Sequence, residues 1–271
     1  MFCTKCGSEI APGARFCARC GSPVAALAGA TPSAAPLPVQ AAPAISVTAP
    51  SPAPTQAPPS CLIYLFGDRF APRDTALTAG EELPCSGIKV QKKPLTELML
   101  VAALAWLAQN SRITLSVAKK GSLVFKHDAV FVTVARREPT SPGGLEAAIL
   151  GALTNRLQDD SVEDIVGRII AETSVDPWGD VIGTTQRSLV ELGYFQEEQQ
   201  KALRVFTTLK RVPLCDRIAT LGPHLPAVQA LLQTWQTSNA AMYRLLHEDV
   251  KRGIKSRYEA PESSSSDSFD D

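Results

Sequence analysis

The sequence predicts an α+β protein in separate parts: a mostly helical body with a small antiparallel sheet, behind a short cysteine-bearing module at the N-terminus. Three observations lead there. The phrase Phe-Cys-x-basic-Cys-Gly is written twice, as FCTKCG at 2–7 and FCARCG at 16–21. An uncharged tract dominated by Ala, Pro, Ser and Thr follows, from Val24 to Ser60. Beyond it, apolar residues recur at helical spacing over most of the chain, with strand-like runs between 112 and 135.

The doubled phrase comes first in the chain and carries the clearest chemistry. Cys3-x2-Cys6 and Cys17-x2-Cys20 give four thiols in two pairs. A Cys-x2-Cys turn directs both sulfurs to one point, and two such turns facing each other make a tetrahedral thiolate cage suited to Zn²⁺. Gly7 and Gly21 follow the second cysteine of each pair, where a tight turn tends to need positive φ. Lys5, Arg15 and Arg19 lie close enough in sequence to offset the surplus negative charge of four thiolates. Phe2 and Phe16 repeat as covers, and Pro12-Gly13 turns the chain between the knuckles. A thioredoxin-like redox pair would need a βαβ context that some twenty residues cannot supply. Structural disulfides would need an oxidising compartment. With four protein ligands the expected site is closed, so the zinc is structural, and so small a segment folds only with its metal. Residues 2–23 resemble the short zinc-ribbon modules found at the N-terminus of many bacterial and archaeal proteins. The resemblance implies Zn²⁺ on Cys3, Cys6, Cys17 and Cys20. It leaves the function open, because such ribbons contact proteins or nucleic acids, or merely cap a terminus.

The tract at 24–60 lacks charge altogether and cannot bury enough apolar surface to order itself. Its prolines favour polyproline II at about 3 Å per residue, so the tether could reach on the order of 100 Å. A passive linker is the plainer account. A Pro-rich ligand is the sharper one, and the missing basic residues beside the prolines argue against it.

The body is expected over 61–258. CLIYLF (61–66) reads as a strand, and Pro94 opens an apolar, central helix, LTELMLVAALAWLAQN. RITLSV (112–117), SLVFK (122–126) and AVFVTVA (129–135) read as a three-stranded meander, separated at Lys119-Lys120-Gly121 and at His127-Asp128. After SPGG, Leu145, Ala148, Ile149, Ala152 and Leu153 keep helical spacing. Ser161 is read as the N-cap of a helix with Val162, Ile165, Val166, Ile169 and Ile170 on one face. Asp176 caps the next, with Pro177 at its first position, a stripe of Trp178, Val181, Ile182, Thr185, Leu189 and Leu192, and Gly193 as its stop. YFQEE follows as a strand. LPAVQALLQTW and SNAAMYRLLHEDVKRGIKSRY read as two amphipathic helices joined at a Ser238 cap, with core stripes such as Leu225, Val228, Leu232 and Leu246, Val250, Ile254.

Two resemblances rest on these elements. Three helices ending LVELGYF, over 144–198, resemble the helix-turn-helix core of a winged-helix domain. The full expected class is therefore α+β, a mostly helical body with a small antiparallel sheet and a winged-helix-like unit, plus a separate N-terminal zinc ribbon. NSRITLSV, a hairpin with VFVTV, GGLEAAILGAL, a Trp-bearing helix and the basic KALRVFTTLKRVPL follow in an order, over 95–220, that is similar to the Golgi phosphoprotein 3-like family. That resemblance implies contact with phosphoinositide headgroups and anionic membrane surfaces, with Trp178, Arg204, Lys210 and Arg211 as the places to look.

Catalytic patterns are missing. The three histidines, His127, His224 and His247, have no second ligand at metal spacing, and there is no H-E-x-x-H, P-loop, G-x-S-x-G or G-x-G-x-x-G. Adjacent carboxylates at Asp159-Asp160 and Glu197-Glu198 point apart. SPGGLEA reads as a plain turn rather than an anion site, and Cys61, Cys85 and Cys215 read as small buried hydrophobes.

Charge is balanced at 27 basic and 27 acidic residues, but the last thirteen, EAPESSSSDSFDD, hold five carboxylates and no base, leaving +5 on the rest. That excess is mild for a nucleic-acid binder. The tail 259–271 reads as a disordered solubilising segment. Lys201, Arg204, Lys210, Arg211 and Arg217 form one basic cluster, and Lys251, Arg252, Lys255 and Arg257 a second at a helix C-terminus, where cations complement the macrodipole. Together with Arg187 these are the candidate contacts for phosphate groups on nucleic acid or lipid. The helix 177–192 offers a DNA groove just one arginine, fewer donors than base readout wants. No apolar h-region opens the chain, and LMLVAALAWLA is too short to span a bilayer. The expectation is a cytoplasmic, non-enzymatic zinc protein that binds a protein partner. A nucleic-acid regulator and a peripheral binder of anionic membrane are the alternatives.

Overall fold

The described chain opens on a helix where the sequence suggested a strand. In the computed structural model, residues 57–75, 80–121, 126–135, 143–153, 160–172, 174–202 and 206–258 are described. The chain divides into two units, Met1–Ser51 and Pro52–Asp271, and all described residues belong to the second. The zinc-ligand cysteines, nearly all of the Ala/Pro tract, Arg204 and the acidic tail lie outside the described residues.

Helix α1 spans Pro59–Leu65, and every one of its residues is buried. A short run enclosed on all sides shows no helical period, which is why CLIYLF passed for a strand. Pro59 at the first position, where an N–H has no partner to lose, is the residual helix signal. The body thus begins before Cys61, with Ser60 already in the core. A 3-10 turn, Gly67–Arg69, leads to a small ladder of β1 (Glu81–Glu82) and β2 (Lys89–Val90).

Helix α2, Lys92–Gln109, is the axis of the body, as its all-round apolar surface implies. Its central run from Met99 to Ala105 is fully buried. It packs against α1 and against α3 (Gly144–Ala152), α5 (Pro177–Glu191), α7 (Leu225–Ser238) and α8 (Ala240–Tyr258).

The predicted meander is a single long hairpin. Strand β3, Ile113–Gly121, pairs with β4, Lys126–Val134, and residues 122–125 between them lie outside the described set. The charges taken as turn markers are cross-strand partners: Lys119 faces Asp128 with an ion pair of 2.9 Å, and Lys120 faces His127. Lys120 reaches on to Ser161 (2.9 Å), Glu163 (3.1 Å) and Asp164 (2.9 Å). The two-residue strand β5, Asp160–Ser161, completes the order β3-β4-β5.

The caps are where they were expected. Ser161 Oγ accepts from Asp164 N at 3.2 Å to start α4 (Val162–Ile169). Asp176 accepts from Gly179 N at 3.0 Å to start α5, and Gly193 follows that helix at φ +75. Between α7 and α8 the single junction residue is Asn239, not Ser238, which still belongs to α7; Tyr243 N donates to Asn239 O at 2.8 Å. Helices α8 and α4 approach so closely that a Cβ on Gly253 would lie 2.7 Å from Val166 Cβ and 2.8 Å from Glu163 O.

After α5 come β6 (Phe195–Ala202) and β7 (Phe206–Pro213), then α6 (Cys215–Ala219) and a 3-10 turn at Gly222–His224. The elements from α3 to β7 follow the helix–strand–helix–helix–hairpin order of a winged helix. However, β5 pairs with β4, and β6-β7 is a sheet of its own, so the three-stranded sheet of a winged helix is not formed among the described residues.

Candidate functional site

The basic residues singled out in the sequence do not gather into one patch. Lys210 and Arg211 lie on β7 directly opposite Glu198 and Glu197 of β6, and Arg211 Nε is 3.4 Å from Glu197 Oε1. Cross-strand neutralisation therefore follows from the register. Arg217 donates to Gly193 O at 2.7 Å, at the end of α5. Only the backbone of Lys201 is described.

On α8 the cations are mostly occupied within the fold. Lys251 meets Glu97 at 3.7 Å. Arg257 Nε donates to Gly167 O at 2.7 Å, serving a carbonyl in the last turn of α4. Arg252 pairs with Asp249, which is fully buried and also accepts from Val130 N at 2.6 Å. Lys255 is exposed on the last turn. Lys251, Arg252 and Arg257 thus each serve a partner within the fold, which accounts for their placement without a phosphate ligand.

The helix that would enter a DNA groove is central. Helix α5 lies against α1, α2, α3 and α8. Thr185 and Ser188 are buried, and Thr185 Oγ1 donates to its own helix at Val181 O (3.2 Å). Gln186 Nε2 donates to Tyr64 Oη at 2.6 Å. Of its polar residues only Arg187 and Glu191 are exposed, and Arg187 bonds Thr184 at 3.0 Å. Its outward stripe, Asp180, Thr184, Arg187 and Glu191, carries two acids and a single arginine, a poor set for a DNA groove.

One cationic aromatic site does form, and its tryptophan was singled out in the sequence. Lys93 Nζ stands 4.5 Å above the Trp178 ring, whose centroid is 5.5 Å from that of Tyr258. The buried Trp178 Nε1 has no hydrogen-bond partner. Lys92 beside it is tied to Asp176 at 2.7 Å, and that contact, with the Gly179 N–H, lowers the Asp176 carboxyl although partial burial opposes it.

A second polar node is entirely enclosed. Gly143 and Gly144, at φ +76 and +61, turn the chain into α3. They bring the N-terminus of α3 against that of α1. Glu146 Oε1 accepts from Ser60 N at 3.0 Å, Ser60 Oγ donates to Glu146 Oε2 at 2.5 Å, and Leu145 N donates to Ser60 Oγ at 3.1 Å. The SPGGLEA turn into α3 thus places its own Glu146 carboxyl on the Ser60 N–H and hydroxyl at the start of α1. Burial pushes Glu146 up to about 7, against the Ser60 hydrogen bonds. Burial and then Glu146 push the neighbouring Cys61 thiol well up. Glu146, Ser60 and Cys61 are all fully buried, so the node is closed to substrate.

The histidines stand on separate elements: His127 on β4, 3.9 Å from Glu163; His224 in the 3-10 turn; His247 on α8, edge-on to Tyr243. Among the described residues no group of three or more His, Cys, Asp or Glu side chains could hold a metal, and no helix is long and apolar enough to cross a membrane. Cys61 is buried as expected, but Cys85 and Cys215 are exposed and bonded to each other, which corrects their reading as buried hydrophobes. Their partnership spans 130 residues, and no spacing rule could have paired them.

The β6-β7 hairpin is the remaining feature. It contacts α5 at its root, and among the described residues neither of its long edges pairs with another strand. Leu209 on β7 is 63% exposed.

Residues 2–24 match the model of the zinc-ribbon domain family. No curated protein was found to match the chain.

Proposed function

We propose that the protein is a non-enzymatic, zinc-dependent adaptor that binds protein partners. The zinc-ribbon match implies zinc binding, and the donor set, Cys3, Cys6, Cys17 and Cys20, is the four-thiolate chemistry a structural Zn²⁺ requires. The single observation that carries the adaptor reading is the β6-β7 hairpin. Its eight-residue strands have, among the described residues, two unpaired edges, together with an exposed leucine and an Arg211–Glu197 pair across the strands. Such an edge accepts an extended peptide by strand addition, an interaction that survives salt. Leu209→Asp is expected to weaken partner capture from a nuclease-treated lysate at least tenfold, by mass spectrometry, while leaving helical content unchanged. Capture unchanged by the substitution, or abolished by about 0.5 M salt, sinks the reading.

Cys3→Ser is expected to remove the one bound zinc equivalent while the circular dichroism of the body stays at wild-type strength. Unfolding of the body along with the ribbon would show that the two parts depend on each other.

One observation favours a second reading, the binding of anionic membrane. The exposed Lys93 standing over the Trp178 ring suits a phosphate oxygen beside an aromatic surface. Lys93→Glu should then abolish sedimentation with vesicles rich in anionic lipid, whereas an adaptor working through β6-β7 would not sediment with them at all.

A further inference from the structure

Cys85 and Cys215 are bonded with their Cα atoms 5.6 Å apart. Cys85 sits in the β1–β2 turn at φ +64, where Gly87 N donates to Leu83 O at 3.1 Å. Cys215 opens α6 directly behind β7, and the residue before it, Leu214, donates its N–H to Tyr194 O at 2.9 Å. The bond therefore fastens the β1–β2 turn to the root of the β6-β7 hairpin. Each segment has a small hold of its own on the core. Leu83 and Val90 are buried beside the turn, and α6 is held by the buried Ile218 and by Arg217, which donates to Gly193 O at 2.7 Å.

The same chain matches a family of zinc ribbons, whose cysteines bind metal as thiolates. Free thiolates persist where the medium is reducing. In that medium an exposed disulfide meets thiols continuously, and exposed disulfides are the labile class. A permanent brace and a thiolate zinc site make opposite demands on one environment. A bond that opens and closes satisfies both.

We propose that Cys85–Cys215 is a redox-responsive clip, exchanged by low-molecular-weight thiols of the glutathione class. A thiolate, its proton released to solvent, attacks one protein sulfur. The S–S bond breaks, a mixed disulfide forms, and the other cysteine leaves as a thiolate that takes up a proton. A second small thiol attacks the mixed disulfide, frees the remaining cysteine and departs as the oxidised small-molecule disulfide. Two electrons pass from the small thiols to the protein, and the reverse sequence closes the clip. Opening frees the turn 84–87 and α6 while α2 and its neighbours stay packed. If partners dock on β6-β7, as proposed above, opening loosens the root of that edge; the clip itself does not depend on that reading.

The test uses the full-length, zinc-loaded protein in glutathione buffers stepped from reduced to oxidised, with acid quenching, alkylation and mass spectrometry of the Cys85 and Cys215 peptides. The expected result is a bond that passes from absent to complete across the series while one zinc equivalent is retained. A bond complete at the most reducing step is a static brace, and a bond absent at the most oxidising step is no clip; either overturns the proposal. So does zinc release before the bond closes. Hydrogen exchange supplies the second readout. Amides in 84–87 and 214–220 should exchange about tenfold faster in the reduced protein and equally fast in Cys215→Ser at every step. Exchange in Cys215→Ser identical to the oxidised wild type would mean that the bond holds nothing. A failed Leu209→Asp test with a working redox series would discard the adaptor reading and keep the clip.

Discussion

Asp249→Ala is expected to destabilise the body by about 3–5 kcal/mol. The cause is a mismatch between strand lengths. Strand β5 has two residues and pairs only with Phe131 and Val132 of β4. Val130 is the first β4 residue past that pairing, and its N–H turns to α8, where Asp249 Oδ2 accepts it at 2.6 Å. The carboxylate stands in for a missing strand. It is fully buried, and Arg252 one turn on supplies the countercharge. Alanine would orphan the Val130 N–H and leave a half-buried guanidinium whose Nε already has no partner. Asp249→Asn keeps an acceptor for Val130 and should cost about 1–3 kcal/mol. Arg252→Ala strands the buried carboxylate, and the double variant should recover part of the sum of the single losses. Chemical denaturation with a constant m-value is the measurement. Losses that simply add, each under about 1 kcal/mol, would mean that water rather than Asp249 satisfies the Val130 N–H.

Residues such as Asp249 mark the limit of what the chain discloses before folding. In sequence it belongs to HEDVKRG, a string of charge on a helix, and charge on a helix is ordinarily solvated. Only the packing of α8 across β4 removes it from water, a long-range fact that no local spacing encodes. Features whose cause is local were legible. The Ser161 and Asp176 caps, the stop at Gly193, and the buried stripes of α4, α5 and α7 all lie where spacing put them. The helix at 59–65 and the long β3–β4 hairpin escape local spacing for a shared reason. A run buried on every side loses its period, and lysines that look like loop residues serve equally as cross-strand partners. The basic clusters were visible as composition, but composition does not say which carbonyl or carboxylate each cation meets. Arg257 with Gly167 O and Arg211 with Glu197 became structural pairs only through tertiary contact. The zinc ligands stand at the opposite extreme, because their chemistry is written wholly in local spacing and the family match falls on the same residues.

Glu146 should give the body an unusual pH dependence. Two forces oppose each other at its carboxyl. The facing N-termini of α1 and α3, with two hydrogen bonds from Ser60, favour the charged form. Complete burial favours the neutral one and prevails, raising the group to about 7 from an ordinary 4.5. Between those values the folded protein holds a proton that the unfolded chain has lost. Folding therefore takes up a proton, and stability falls as pH rises. The contribution is fully present below about 4.5 and lost as pH passes about 7, amounting to about 3 kcal/mol. Glu81 and Glu97, also raised by burial, act in the same sense, while Asp164 and Asp176, both lowered, act in the opposite one at acid pH. The difference between wild type and Glu146→Gln isolates the one carboxyl. Glutamine can accept from Ser60 N, carries no charge, and should leave stability flat through that window. Relative to wild type, the variant should gain about 3 kcal/mol between pH 5 and 8. A difference that does not change with pH would show that the two helix ends and the Ser60 hydrogen bonds outweigh desolvation, and that the carboxylate is charged in the core throughout.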